Sequence, residues 1–203
     1  MPDSSNSASV VDAAVRTLAA GGIVVYPTET LYGLGVDACN ETALQRLVEL
    51  KGRQPGKPIA VLISATAMLE DVVEDISEAA ADLMRRFWPG PLTIVLRARP
   101  AVSRVLTGDG DGIGVRISSH PVATRLVRAL GRPLTAPSAN PAGQRPPTRV
   151  EEARAYFGNR VDGYIDGGSL PGEPASTVVD ARDGLRVIRD GAVPADLVLR
   201  RVV

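Results

Sequence analysis

Apolar positions along the chain fall into short runs separated by amphipathic stretches, and the alternation predicts strands and helices in turn. Residues 10–20 put Val11, Ala14, Val15 and Leu18 on one face of a short helix. Gly21-Gly22 ends it, and residues 23–26 follow as a buried strand. Asn40 is placed to cap a helix over 41–50, with Leu44, Leu47 and Val48 turned inward. Residues 59–64 predict a second buried strand, and 66–73 and 77–87 predict two helices, Ser77 capping the second. Trp88-Pro89-Gly90-Pro91 is a rigid turn into a strand over 92–98, and 113–117 is a further strand that carries Arg116. A helix over 121–130 and a short strand over 133–136 come next. A helix opened by a capping box at Thr148-Arg149-Val150-Glu151 and running to Phe157, then a strand over 163–166, continue the alternation. The chain finishes in a hairpin, 176–181 against 185–189, where Asp183-Gly184 signals a type I′ turn.

This order implies the α/β class: a single domain over residues 10–203, built on a twisted mixed β-sheet with helices on its faces, after a flexible N-terminus over 1–9. Open α/β sheets collect ligands in loops at strand ends, and three loops here carry chemistry. Pro27-Thr28-Glu29-Thr30-Leu31-Tyr32-Gly33-Leu34-Gly35 sets hydroxyls, a carboxylate and two glycines directly after the first strand. It matches neither G-x-G-x-x-G nor a Walker A sequence, and a loop whose threonines satisfy their own backbone would read the same. Lys51-Gly52-Arg53-Gln54-Pro55-Gly56-Lys57-Pro58 holds both lysines of a chain with 23 basic residues, and its glycines and prolines bar a continuous helix. Three cations on such a loop suit an anion; a solvated basic turn offsetting a helix dipole is the competing reading. Pro137-Ser138-Ala139-Asn140-Pro141-Ala142-Gly143 is the third loop. The three are expected to converge on one cavity, with Lys51 and Lys57 on exposed backbone.

A length of 203 residues suffices for one domain with a substantial core and is short for two. The 23 acidic and 23 basic residues cancel, which argues against a general polyanion binder and leaves a local patch open. The longest apolar runs, 59–63 and 92–96, are too short to span a bilayer. Residues 1–9 are polar and lack an apolar h-region. The expectation is a soluble cytoplasmic protein without a membrane partner. Cys39, the one cysteine, excludes an intrachain disulfide and a multi-cysteine metal site. His120, the one histidine, reads as a helix-start residue, and a Ser/His/Asp triad would have to run through it. Asp109 and Asp111 lie in a Gly/Asp loop that lacks the other ligands of an EF-hand, so a turn is the better reading. No protein-held metal is expected, and the chemistry falls to electrostatics and positioning.

Taken in order with Trp88-Pro89-Gly90-Pro91-Leu92-Thr93, Ala136-Pro137-Ser138-Ala139-Asn140 and Ser176-Thr177-Val178, these stretches resemble the YrdC family over roughly residues 11–193. Each motif alone is weak; the ordered set is specific. The family's K-x-R plus S-x-N pattern is matched by Lys51, Arg53, Ser138 and Asn140. The resemblance implies a YrdC-like fold and threonylcarbamoyl-AMP synthase activity, a nucleotidyl transfer. L-threonine, bicarbonate or CO₂, and ATP would give pyrophosphate and an adenylate that feeds the t6A modification of tRNA. It implies Lys51 and Arg53 as catalytic residues, and Thr30, Arg116 and Ser176 around threonine. Lys51, Arg53, Lys57, Ser138, Asn140 and Arg189 are implied around ATP and its phosphates. Mg²⁺ is expected to come with ATP, held by phosphate and water, since no carboxylate cage is visible. Several longer relatives place a histidine near the threonine, where Leu62 stands here. The larger members also carry a second C-terminal domain, so this chain reads as the compact form. Downstream t6A transferase proteins are the implied protein partners.

The chemistry agrees with these expectations. The bidentate fork of an arginine on a rigid strand suits an amino-acid carboxylate, and the Thr30 and Ser176 hydroxyls suit a small polar substrate. Phosphate chemistry needs cations that follow developing charge. Without a histidine base, threonine and CO₂ or bicarbonate would combine largely by positioning, as N-carboxythreonine. Two alternatives stay open. One is a YrdC-like protein whose basic cavity and Arg-rich surface (Arg145, Arg149, Arg154, Arg160) give weak RNA or tRNA binding. Zero net charge and only Tyr26, Tyr32 and Tyr156 as candidate stacking residues count against single-strand stacking as its main activity. The other is a paralogue acting on a different carboxylate or carbamoyl substrate, which Leu62 keeps open.

Overall fold

The computed structural model describes residues 4–54, 56–172 and 174–200. The first half of the chain runs α1 (Ser4–Ala19), β1 (Val24–Pro27), β2 (Tyr32–Gly35), α2 (Glu41–Lys51), β3 (Val61–Leu62), a 3-10 turn over Thr66–Asp71, and α3 (Glu78–Phe87). Then come β4 (Leu92–Arg97), α4 (Arg104–Thr107), β5 (Gly112–Arg116), α5 (Pro121–Leu130) and β6 (Leu134–Thr135). The chain ends with α6 (Val150–Phe157), β7 (Gly163–Tyr164), β8 (Thr177–Asp180), β9 (Arg186–Arg189) and α7 (Ala195–Leu199). Expected caps form where the sequence put them: Asn40 accepts from the Ala43 N–H at 3.0 Å, and Ser77 from the Ala80 N–H at 3.2 Å. His120 starts α5, its Nδ1 accepting from the Val122 N–H at 3.2 Å.

The strands pair as β2-β1-β7 and as β6-β3-β5-β4-β8-β9, both mixed in direction. Backbone bonds join the two sheets. The Leu34 N–H donates to Pro137 O and the Ala139 N–H to Tyr32 O, both at 2.8 Å. Thr135, fully buried, ties the same seam through its hydroxyl, which donates to Leu34 O and accepts from the Val36 N–H, both at 2.9 Å. The twisted mixed sheet expected from the alternation is thus two mixed sheets, of three and six strands, joined along this seam.

Side chains alternate across this sheet as the pleat requires. Val25, Val61, Ile94 and Val115 meet Leu44 and Leu47 of α2, Leu83 of α3 and Phe157 of α6 in one core. Val24, Tyr26, Leu62 and Leu134 meet Leu18 of α1 and Leu126 and Val127 of α5 in the other. The second helical layer stops short: β4, β5 and β8 turn a face with Thr93, Val95, Gly112, Gly114, Arg116 and Val178 outward beside it, and that face becomes the floor of a cavity. No helix among the described residues is long and apolar enough to cross a membrane.

Several sequence expectations change. Residues 32–35, read as loop, form β2 antiparallel to β1. The Tyr26 ring takes the space where side chains would stand, so that a Cβ on Gly35 would lie 2.9 Å from Tyr26 Cε1. Here glycine serves close packing. Helix α1 starts at Ser4, within the stretch expected to be flexible, because Ser-Ser-Asn-Ser-Ala-Ser offers no apolar period to announce it; residues 1–3 and 201–203 lie outside the described residues. Residues 66–71 wind as 3-10 rather than α. The acid of the capping box is Glu152, not Glu151: its Oε2 accepts from the Thr148 N–H at 2.7 Å and the Arg149 N–H at 3.2 Å. The closing hairpin is not a type I′ turn. Asp180 pairs with Arg186, which leaves a longer connection, and Gly184 has φ +103° while Asp183 stays out of the positive region. Helix α7 follows, held by Arg86, which donates to Leu197 O at 2.5 Å and Arg200 O at 2.9 Å.

Candidate functional site

Helix α2 delivers Lys51 as its last residue, and Gly52 (φ +58°) turns the chain away in the left-handed conformation that glycine adopts freely. Lys51 is only 4% exposed. Its ammonium donates to Ser138 O at 2.5 Å and Asn140 O at 2.6 Å, and its own carbonyl accepts from the Ala142 N–H at 2.8 Å. The expectation of an exposed lysine is overturned: the loop over 138–142 wraps the side chain. No carboxylate among the described residues pairs with it, so burial, with the neighbouring Arg53 charge second, lowers its pKa from 10.5 to about 7. Arg53 closes its own loop, with Nη2 donating to Pro58 O at 2.6 Å and Nε to Lys57 O at 3.3 Å. Lys57 is exposed, as expected. Asn140 is buried; its Nδ2 donates to Gln144 O at 2.7 Å and Pro141 O at 3.0 Å, while its Oδ1 has no partner. Lys51, Arg53, Lys57, Ser138 and Asn140 line a basic cavity of about 520 Å³.

A second cavity, of about 570 Å³, lies on the open sheet face. Gly112, Gly114 and Arg116, alternate residues of β5, and Thr93 and Val95 of β4 form its floor; Thr30, Arg53, Ser138, Ser176 and Arg189 form its rim. The hydroxyl of Thr28 donates to Leu31 O at 2.7 Å and so fixes the turn that carries Thr30. Leu62 is the cross-strand neighbour of Arg116 and gives the cavity an apolar wall there. Arg116 is buried, and its Nη1 donates to Glu29 Oε1 at 2.7 Å; the Ser118 hydroxyl donates to the other Glu29 oxygen. Arg189 donates through Nη2 to Ser176 O at 2.6 Å and to Ser176 Oγ at 3.1 Å. Burial, and then the charge of Arg116, lower the pKa of Arg189. Four arginines and no carboxylate stand on this wall; of these, Arg182 is engaged by Asp180 and Asp111.

Thr30, Arg116, Ser176 and Arg189 thus share the larger cavity, Lys51, Lys57 and Asn140 the smaller, and Arg53 and Ser138 belong to both. The three loops converge as expected, since Thr28, Thr30, Gly33, Arg53, Gly56, Pro58 and Ser138 all line the larger cavity; the smaller one adjoins it, with Ser138, bridged to Gly33 and stapled by Lys51, at the partition. Glu29 and Ser118 were not among the expected site residues. The signal for Glu29 was present, a carboxylate between two threonines directly after a buried strand. What was absent was any sign that Arg116, remote in sequence, would claim it.

Two adjoining cavities on an α/β sheet, each presenting arginine and hydroxyl groups and the smaller one lysine as well, have the chemistry that suits anionic groups side by side. The chain belongs to the Sua5/YciO/YrdC family, described as "Telomere recombination", whose profile matches residues 16–191. It is 40% identical over 177 residues to a threonylcarbamoyl-AMP synthase of Pyrococcus abyssi, covering 87% of this chain and 52% of that one. It is 41% identical over 184 residues to a threonylcarbamoyl-AMP synthase of Xanthomonas campestris pv. campestris, covering 89% and 97%. The solved structure of P. abyssi Sua5 complexed with L-threonine superposes with a TM-score of 0.89 at 37% identity, over 93% of this chain and 56% of that one. The chain therefore spans about half the length of the Pyrococcus relative and nearly all of the Xanthomonas one.

Proposed function

We propose that this chain is a threonylcarbamoyl-AMP synthase, a nucleotidyltransferase that uses L-threonine, CO₂ or bicarbonate, and ATP. The observation that carries the reading is the meeting of the two cavities at Arg53 and Ser138. The amino acid lies in the larger cavity, its carboxylate on the edge of Arg116 that Glu29 leaves free and its polar atoms within reach of Thr30 and Ser176. The neutral α-amino group adds to CO₂, one N–H proton passing to solvent, to give the N-carboxythreonine carbamate, held in place by these contacts. A carboxylate oxygen of that carbamate attacks the α-phosphorus of ATP; the bond to pyrophosphate breaks, and threonylcarbamoyl-AMP and pyrophosphate result. Arg189, beside Ser176, faces the α-phosphate, and Arg53, Lys57 and Lys51 take the charge of the departing pyrophosphate in the smaller cavity.

Mg²⁺ is proposed to travel with the nucleotide and to supply charge neutralisation on its phosphate oxygens. Among the described residues no group of three His, Cys, Asp or Glu side chains is placed to hold it, while the unpartnered Oδ1 of Asn140 is a neutral oxygen in the phosphate cavity. The product is proposed to pass to a transferase that modifies tRNA. The RNA-binding alternative gains little from the surface, because Arg154 lies 4.2 Å over the Tyr164 ring and Arg149 sits 3.6 Å from Glu151. The test is pyrophosphate release with ATP, L-threonine and bicarbonate each omitted in turn. Release that needs all three is expected; release that proceeds equally without threonine would overturn the reading.

A further inference from the structure

We propose that Glu29 is a positioning and charge-setting residue of the larger cavity: it holds one edge of Arg116 so that the other meets a carboxylate, and its charge keeps polyvalent phosphate out of that subsite. Glu29 is not on the cavity wall. Its Oε1 takes Arg116 Nη1 at 2.7 Å and its Oε2 takes the Ser118 hydroxyl, which in turn accepts the His120 N–H at 3.1 Å. The two side chains are 6% and 12% exposed, so this is a nearly dry ion pair anchored at both ends. A guanidinium presents five N–H donors in a fixed plane, and here Nη1 points inward to Glu29 while Nε and Nη2 make no hydrogen bond to the described residues. Rotation of the plane would break the Glu29 contact, and one edge is thereby aimed at the ligand.

The charge balance has a second effect. Arg116 and Arg189 lie close enough that Arg116 lowers the pKa of Arg189, and the hydroxyls of Ser176 and Thr93 stand beside them. Two uncompensated guanidiniums with two hydroxyls would be a phosphate site. Glu29 cancels the charge of Arg116, so that phosphate is met by Arg189 and the free edge of Arg116 is matched to a single carboxylate. Discrimination is needed because a phosphate-binding cavity adjoins this one through Arg53 and Ser138. The inference rests on the proposed amino-acid and nucleotide subsites.

The experiment is calorimetric titration of the purified protein with L-threonine and, separately, with inorganic pyrophosphate, for the parent, Glu29→Gln, Glu29→Asp, Ser118→Ala and the pair Glu29→Gln/Arg116→Ala. In Glu29→Gln, threonine affinity should fall by about tenfold or more, and one additional equivalent of pyrophosphate should bind. That equivalent should vanish in the double variant and be largely absent in Glu29→Asp. A merely structural role would not create a new anion site. Parallel weakening of both ligands, or an extra equivalent that survives loss of Arg116, would overturn the proposal. If Glu29→Gln fails to fold, Ser118→Ala must show a smaller shift of the same sign, and no shift there would overturn it as well. Threonine that fails to bind the parent, alongside an extra pyrophosphate in Glu29→Gln, would sink the amino-acid reading and leave the charge-setting role standing.

Discussion

Lys51 donates to the carbonyl oxygen of Ser138 at 2.5 Å, and so joins the end of α2 to a loop 87 residues further along the chain. A lysine lining the smaller cavity is therefore also a structural tie. Lys51→Ala would strip a donor from two carbonyls, each left unpaired at a cost of about 1–3 kcal/mol where buried. It should lower the melting temperature and cut pyrophosphate formation by about a hundredfold. Lys51→Arg keeps the charge but cannot place a planar fork in the space of an ammonium, so both quantities should fall there too. Thermal melts and pyrophosphate release on the same preparations check this; a lost activity with an unshifted melt would remove the structural half.

The depressed pKa of Lys51 gives a pH signature. With a folded pKa of about 7 against 10.5 for the free group, the unfolded chain binds the proton and the folded chain does not over that interval. Stability tied to this group is fully present above pH 10.5 and is lost as pH falls through 7. The melting temperature relative to Lys51→Met should accordingly rise between pH 7 and 10. An anion in the smaller cavity restores the charge. Nucleotide binding at pH 8 should then take up about one proton, read from calorimetry in buffers of different ionisation enthalpy. No uptake, or equal uptake in Lys51→Met, would contradict it.

Arg116→Lys removes the fork that holds Glu29 and, in the proposed function, the substrate carboxylate. The KM for threonine should rise by about tenfold or more, with a smaller change in kcat, since the interaction holds the ground state as well as the transition state. Steady-state kinetics at varied threonine measures this, and an unchanged KM would take Arg116 out of the carboxylate subsite.

The seam between the two sheets makes a separate prediction. Thr135→Val keeps the shape of the side chain but deletes its bonds to Leu34 O and the Val36 N–H, at about 1–3 kcal/mol. For a chain of this length that is roughly 2–4 °C of melting temperature per kcal/mol. A melt within error of the parent would show that the backbone bonds alone hold the seam.

The elements best legible in the sequence were those with a strong local cause. Helix α2 has Asn40 and an apolar stripe, α3 has Ser77, α5 has His120-Pro121, and each forms where expected. Strand β2 was not legible, because its glycines answer to the Tyr26 ring, a partner that only the hairpin brings near. The site divides the same way. Residue types and loop positions marked three candidate loops, and it was the resemblance to the YrdC family that marked Lys51, Arg53, Ser138 and Arg116 as belonging together. Burial of Lys51, the partition at Ser138 and the claim of Arg116 on Glu29 are long-range facts, set by packing between segments some 87 residues apart. The expected cavity at the strand ends also proved to run across the sheet face, where the helical layer stops and Gly112 and Gly114 leave room.

The most direct measurement supplies isotopically labelled bicarbonate with L-threonine and Mg-ATP to the purified chain and follows the label by mass spectrometry. The expected product carries the label, the threonine and AMP in one molecule, formed one for one with pyrophosphate. ATP turnover with no label in any threonine-containing product would contradict the assignment of the two cavities to amino acid and nucleotide.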